Sequence, residues 1–471
     1  MHKTITKEGD GVTATTTNDL VNRLQLSDFW GLSPVQRESI LLKAIAESHA
    51  WHYVHNKAYR HTVTARGVGP TASQADLPRL LRPTAQTFKS YIEILGTPFP
   101  QTQPRAFLNW LADQLSVELP RERFTRLRPR YRTLEALLLD IERIFADLGF
   151  EVSTSSGTSG RSTIMVRDQA GIDKTAESFY LAFQRYLGMQ ADHRAIFVMP
   201  RHTRIAMVRM ASFSVERTGF DRIHFTIPFP AHPDQVRIRT GRTFQPGWRG
   251  AIERKVWHPF MNWMNEQYVT PRAVRQTIDL LEQAEASREK VLLFGGWVHL
   301  HAVAQKIREK GRAIRLATGS LVGTGGGLKE RYPFTPARIR SDLAQAIKLT
   351  DGQPAPFRDV FGMAEGNWAA MQCQQNSYHV PPWIYAVTLD EDDRFQQGSD
   401  TTGLLAFFDP FGGSRLFPAF FKTADQVRLI NGAGGYDPAY LCSCGETGTY
   451  IARDSIQRVD LIDEAGCGAQ I

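Results

Sequence analysis

Between residues 163 and 317 the chain alternates short apolar runs with longer amphipathic ones, and this alternation constrains the fold more than any other feature. Thr163–Arg167 and Ala195–Met199 read as strands, with a helix over Lys174–Leu187 between them. Lys290–Phe294 reads as a further strand, followed by a helix around His299–Lys310 and a strand at Ala313–Ala317. Such a strand–helix–strand rhythm builds a largely parallel sheet with helices packed on it. The predicted class is α/β. Upstream the texture is helical, from Leu26 to about Thr62 with Pro34 following Ser33 at a helix start, then over Arg105–Leu119 and Thr133–Leu148. Downstream it turns to short β-type runs at Trp383–Leu389, Gly403–Phe408, Gln426–Leu429 and Gly448–Ala452. The expected organisation is a mostly helical N-terminal region (1–104), a parallel-rich α/β core (105–383), a small β-rich subdomain (384–456) and a short tail (457–471).

Charge and cysteine usage narrow the function. Lys plus Arg number 56 against 48 for Asp plus Glu, a surplus of +8 spread thinly over 471 residues. No basic stripe with interleaved aromatics forms, so nucleic acid is not an expected partner, whereas an anionic small ligand suits the balance. Four cysteines do not make a disulfide framework in a chain of this length, which points to a reducing compartment. The polar, Thr-rich start lacks the apolar stretch of a secretory signal, and no uncharged run approaches the ~18 residues of a membrane span. A cytoplasmic protein without a membrane span is expected.

The most informative stretch is Thr154-Ser155-Ser156-Gly157-Thr158-Ser159-Gly160-Arg161-Ser162-Thr163. Small residues let a backbone approach a ligand closely, successive N–H groups can form an anion-binding nest, and the hydroxyls add donors for phosphate oxygens. A solvated Ser/Gly linker is the competing reading. Against it stand the ordered glycine spacing and the position of the stretch between an apolar segment (Ile144–Phe150) and a strand. The GxxxxGK[ST] arrangement of a Walker loop is absent.

The stretch resembles the S-S/T-G-T-T-G-x-P-K loop of the acyl-adenylating superfamily, with Ser155–Gly160 matching. The family's Pro and Lys fall on Ser162 and Thr163, so the loop lysine is missing and Arg161 is the nearest cation. Further segments follow in the superfamily's order. Thr324-Gly325-Gly326-Gly327 with Lys329 is similar to the glycine segment that lies along adenine. Phe361-Gly362-Met363-Ala364-Glu365 resembles Y-G-x-T-E, with Ala364 replacing the usual Thr. Thr423-Ala424-Asp425 resembles T-G-D, and Arg458-Val459-Asp460 resembles G-R-x-D. Within the superfamily the chain looks most like the acyl-protein synthetases of bacterial bioluminescence. Phenylacetate-CoA ligases and an adenylating protein of phenazine tailoring are similar relatives.

That resemblance implies an ATP- and Mg²⁺-dependent ligase that converts a carboxylic acid into an acyl- or aryl-adenylate, releasing pyrophosphate, before transfer to a protein or thiol acceptor. It implies catalytic roles for Glu365, as the Mg²⁺ ligand, and for Thr158. It implies nucleotide contacts from Ser155, Ser156, Gly157, Thr158, Ser159, Gly160, Gly325, Gly326, Gly327, Asp425 and Arg458. The residue chemistry agrees: a hard cation takes carboxylate and phosphate oxygens, and an ionised carboxylate accepts both hydroxyls of a ribose diol. An ordinary surface glutamate, a turn aspartate and a solvated arginine are the plainer readings of Glu365, Asp425 and Arg458. Phe294-Gly295-Gly296-Trp297 could line an acyl pocket or simply be core.

The resemblance also places an acyl-carrier cysteine at Cys467, although the nearby Asp460, Asp463 and Glu464 oppose thiolate formation. Cys442-x-Cys444 has the wrong spacing for a common zinc knuckle and no second close pair completes four ligands, so zinc, which would need Cys467, is not expected. Only 13 residues follow Arg458 in this sequence, against the large mobile lid that superfamily members carry after this point. The expectation is that a partner, such as a reductase or another acyl acceptor, completes the second half-reaction. A self-sufficient acid–CoA ligase and a catalytically degenerate nucleotide-binding subunit are the alternatives.

Overall fold

The computed structural model describes residues 24–155, 162–235, 247–328 and 332–459. The expected mobile start, Ser156–Arg161, Lys329 and Cys467 lie outside these residues.

The helical N-terminal part begins where its capping chemistry places it. Ser33 caps the helix Pro34–His55 in a reciprocal box with Gln36, and Pro34 occupies the first turn, where its missing N–H costs nothing. Asn56 ends this helix, and its side chain accepts from the Tyr59 amide at 2.8 Å to start the next, Lys57–Ala65. Helices over Pro104–Gln114 and Leu134–Ile144 follow.

The strands, in chain order, are β1 (Arg82–Pro83), β2 (Glu151–Thr154), β3 (Ile164–Arg167), β4 (Arg194–Pro200), β5 (Arg222–Ile227), β6 (Val291–Gly295), β7 (Ile314–Leu316), β8 (Leu321–Gly325) and β9 (Ile347–Leu349). They continue with β10 (Phe357–Gly362), β11 (Ala369–Gln372), β12 (Tyr378–His379), β13 (Tyr385–Leu389), β14 (Asp400–Asp409), β15 (Ala419–Ile430), β16 (Tyr450–Ile451) and β17 (Gln457–Arg458).

Among the described residues one large mixed sheet runs β13-β14-β15-β16-β12-β11-β10-β8-β6-β4-β5, with β1 and β17 on β15. From β10 to β5 every pairing is parallel, and from β11 to β13 every pairing along the path is antiparallel. This is the expected mixed α/β class. The parallel half buries both faces. In β4, Ile196 and Val198 face the helices Thr270–Ser287, Trp297–Glu309 and Pro336–Ala346. Ala195, Phe197 and Met199 face Gln169–Leu187 and Ala206–Thr218 on the other side. The alternation follows from the two-residue period of a strand covered on both faces. The antiparallel half shares its core with the N-terminal helices, where Leu41, Ile45, Tyr59, Phe107 and Ile141 belong to one apolar cluster with Phe407, Phe420, Phe421 and Leu429.

One strand lies elsewhere than the rhythm suggests. Ile314–Leu316 pairs with β9 in a separate two-stranded parallel sheet, and β8 takes its expected place in the core beside β6. Arg315 is exposed between two buried neighbours, so β7 has one wet face. β8, which the sequence reading does not single out as a strand, holds two glycines in five residues, yet Leu321, Val322, Gly323 and Thr324 are all buried.

Candidate active site

The parallel strands β8 and β10 lie side by side, with Gly325 opposite Val360, so both release their loops at the same edge. Ligands of open α/β sheets bind at the carboxyl ends of such strands. At the end of β8, Gly326 and Gly327 have φ of +83° and +68°, a left-handed run that a side chain would strain. At the end of β10, residues 363–368 reverse the chain so that β11 returns antiparallel, with Gly362 opposite Ala369. Glu365 sits in this reversal, only 6% exposed.

Its hydrogen-bond partner comes from far away in sequence. Thr163 Oγ1 donates to Glu365 Oε1 at 2.7 Å across 202 positions. Thr163 is also one foot of the hydroxyl-rich loop. Its amide donates to Ser155 Oγ at 2.9 Å, and the Ser155 amide donates to the Thr163 carbonyl at 3.0 Å. These bonds close the base of the loop against the acidic segment. Glu365 is thus a buried, placed carboxylate rather than an ordinary surface glutamate.

Sequence reasoning missed the residue beneath it. Arg167 ends β3, is fully buried, and spreads its guanidinium across the reversal. Nε donates to Asn367 Oδ1 at 2.8 Å and Nη2 to the Ala364 carbonyl at 3.1 Å, while Nη1 donates to Ser153. Burial pulls its pKa down to about 10, against the opposing pull of Glu151, Glu365 and Asp409. The planar fork holds the residues on both sides of Glu365, which a flexible ammonium would not do as well. The clue in sequence is a lone arginine ending the apolar run Ile164-Met165-Val166.

Asp425 lies inside β15 rather than in a turn, and the β15–β17 register sets it opposite Arg458. Two predicted ribose contacts are therefore brought together. Phe294 and Trp297 are taken up by packing. Phe294 contacts Phe183 and Phe197, and Trp297 packs at a tilt against Phe357 with ring centroids 5.1 Å apart. Among the described residues, Ser162 Oγ beside the loop foot and Thr324 Oγ1 on β8 are buried without a hydrogen-bond partner. Buried hydroxyls of this kind ordinarily have one, and a phosphate-bearing ligand at this edge would supply acceptors.

Among the described residues the cysteines form a cluster that sequence spacing does not show: Cys442 and Cys444 lie with Cys373 and His379. The four ligand atoms lie within 4.8 Å of one another. Sequence spacing hides this because strand pairing creates it: β11 sets Met371 opposite His379, and β12 sets His379 opposite Tyr450. Two other buried histidines make hydrogen bonds within the N-terminal helical part. His49 contacts Tyr59 and the Gly69 carbonyl, and His52, whose pKa burial holds well below the usual value, contacts Ser116.

Among the described residues no helix is long and apolar enough to cross a membrane. The profile of the family described as acyl-protein synthetase, LuxE, matches residues 261–471. A long-chain-fatty-acid–luciferin-component ligase of Aliivibrio fischeri is 26% identical over 170 residues, covering 35% of this chain and 42% of the relative. The Vibrio harveyi ligase of the same name is 21% identical over 285 residues, covering 60% of this chain and 64% of the relative. The matches thus span less than two thirds of either relative. Among solved structures, 2-hydroxyisobutyryl-CoA ligase in complex with 2-HIB-AMP and CoA aligns with a TM-score of 0.56 at 14% identity, covering 93% of this chain and 73% of that one. The resemblance therefore holds at this level: the C-terminal part of the chain matches the acyl-protein synthetases, and over 93% of its length the chain shares a fold with that CoA ligase.

Proposed function

We propose that this chain is a ligase that uses ATP to activate a carboxylic acid as its acyl- or aryl-adenylate, with release of pyrophosphate, and passes the acyl group to a protein or thiol acceptor. The observation that carries the reading is the Thr163–Glu365 hydrogen bond, which ties the foot of the hydroxyl loop to the acidic reversal at the carboxyl edge of the parallel strands. The donor set fits a nucleotide triphosphate. Ser155, Ser156, Gly157, Thr158, Ser159 and Gly160 would cradle phosphate, Thr158 touching the reacting end. Gly325, Gly326 and Gly327 would lie along the base, Asp425 and Arg458 would hold the ribose, and Ser162 and Thr324 would turn their unpartnered hydroxyls to ligand oxygens. Glu365 would hold Mg²⁺, which when bound neutralises phosphate charge and eases departure of pyrophosphate. The protein's own contribution is placement: Arg167 and Thr163 fix the Glu365 carboxylate before a ligand arrives.

The two curated relatives are named for long-chain fatty acids, so a fatty acid leads the candidate substrates, and an acceptor protein such as a reductase is the partner that reading calls for. The test is exchange of labelled pyrophosphate into ATP across fatty, aryl and amino acids, with Glu365→Ala as control. Exchange with one acid class, lost in the variant, is expected. Silence with every acid while ATP still binds would overturn the reading in favour of an inert nucleotide-binding subunit, a role that the missing loop lysine and Ala364 would suit. Efficient acyl-CoA formation by the chain alone would replace the partner with CoA.

A further inference from the structure

The geometry points to a structural zinc site formed by Cys373, His379, Cys442 and Cys444. Three thiols and an imidazole are a donor set that favours Zn²⁺ in a closed tetrahedral site. Their spacing matches the geometry of such a site. Tetrahedral bonds of about 2.3 Å to sulfur place two sulfurs about 3.8 Å apart, and a sulfur and a nitrogen about 3.5 Å apart. Cys373 Sγ and Cys442 Sγ are 3.8 Å apart, and Cys444 Sγ is 3.3 Å from His379 Nε2. A disulfide would need about 2.05 Å, and all three cysteines are free.

The surroundings are those of a built site. Cys373, His379 and Cys442 are buried at 5%, 1% and 5% exposure. The Gln375 amide donates to Cys373 Sγ at 3.4 Å, a bond that stabilises a thiolate ligand. The Cys442–Gly445 segment closes a tight turn in which the Gly445 amide donates to the Cys442 carbonyl at 2.9 Å, with Gly445 at φ +89°. This turn presents both of its sulfurs to the β11–β12 hairpin, whose own turn is held by the Cys373 amide donating to the Ser377 carbonyl at 2.9 Å. His379 stacks on Tyr186, with ring centroids 5.1 Å apart, which fixes its plane.

On binding, Zn²⁺ forms three bonds to sulfur and one to the imidazole nitrogen. The thiol protons pass to solvent, and nothing is oxidised or reduced. All four positions are filled by protein, so the ion is a staple and not a Lewis acid. It fastens the loop before β16 to the strand that leaves the Glu365 reversal, Cys373 lying eight positions after Glu365.

The test is metal analysis of the purified full chain by mass spectrometry after expression with zinc, together with Co²⁺ substitution. About one zinc per chain is expected, with the thiolate charge-transfer and intense visible absorption of tetrahedral Co²⁺. Cys444→Ser, at the half-exposed ligand, should lower zinc retention against a chelator at least tenfold while circular dichroism stays folded. Cys373→Ser should do the same more severely. Cys467→Ser should leave the zinc content unchanged. Zinc-free protein from zinc-rich medium, a Cys373–Cys442 disulfide, or full zinc retention in Cys444→Ser would each overturn the site. Loss of zinc in Cys467→Ser with retention in Cys373→Ser would also do so. None of these readouts depends on ligase activity.

Discussion

Two clusters of donors flank β11, and they are built on opposite principles. At its start, Glu365 and the loop foot at Thr163 place oxygens at the carboxyl edge of the parallel strands, with the Ser162 and Thr324 hydroxyls unpartnered among the described residues. At its end, Cys373, His379, Cys442 and Cys444 turn soft donors inward on one another. The first arrangement suits a ligand that must enter, react and leave. The second suits an ion that stays. A strand of four buried residues separates the two.

The sharpest way to test this division is to remove charge at one end and read both. Glu365→Gln keeps an acceptor for Thr163 but removes the carboxylate charge. Acid-dependent pyrophosphate exchange should fall by about 100-fold or more, in the range found when one electrostatic stabiliser is deleted from an active site. Metal content at the cysteine cluster should not change. If zinc and exchange fall together, the two centres are one and the division is wrong. Conversely, stripping the cluster with a chelator should raise amide hydrogen exchange first over residues 373–379 and 438–451. Equal loosening across β8 and β10 would break the comparison from the other side.

Arg167→Lys probes how the reactive end is held. A lysine keeps the charge but cannot reach Asn367, Ala364 and Ser153 together, so a buried acceptor is left unpaired at a cost of about 1–3 kcal/mol. Exchange should fall roughly tenfold, since 1.36 kcal/mol on the barrier is a factor of ten. The loss should appear mainly in kcat, because Arg167 contacts the Glu365 reversal rather than the glycine segment of β8. A loss confined to the KM for ATP would assign Arg167 to nucleotide binding instead.

These two centres also differ in how far sequence reveals them. Helix starts at Ser33, the strands β4 and β6 and the motif around Glu365 are legible because their information is local: a cap, a two-residue period, a fixed residue order. Asp425 and Arg458 are legible as motifs, but only strand register shows that they face each other. The cysteine–histidine cluster is illegible because its ligands lie at 373, 379, 442 and 444 and are united only by the pairing of β11, β12 and β16. Arg167 hides differently, since a charge ending an apolar strand carries no sign of what it will be buried against. The glycines of β8 mask a core strand because a residue without a side chain gives no hydropathy signal, although Phe294 fills the space above Gly323.

The smallest expected effect tests the wiring between the centres. On β10, Asp359 accepts from Tyr378 at 2.8 Å and from the Val360 amide at 2.9 Å. Tyr378 precedes His379, so this bond reaches across β11 from the strand that leads to the Glu365 reversal to the residue beside a cluster ligand. Burial pushes the Asp359 carboxyl up to about 6, with the two hydrogen bonds only partly opposing it. A carboxyl whose pKa is higher in the folded chain than in the unfolded one contributes stability fully below the unfolded value, about 3.9, and loses it as pH rises through about 6. Asp359→Asn removes that titration while keeping an oxygen for the Val360 amide. Relative to wild type, the variant should therefore gain stability as pH rises from about 4 to about 7, measured as the difference in urea midpoints. A flat difference would mean that Asp359 stays ionised in its site, held by Tyr378. A loss of zinc on the same substitution would show that the hydrogen bond across β11 couples the two centres after all.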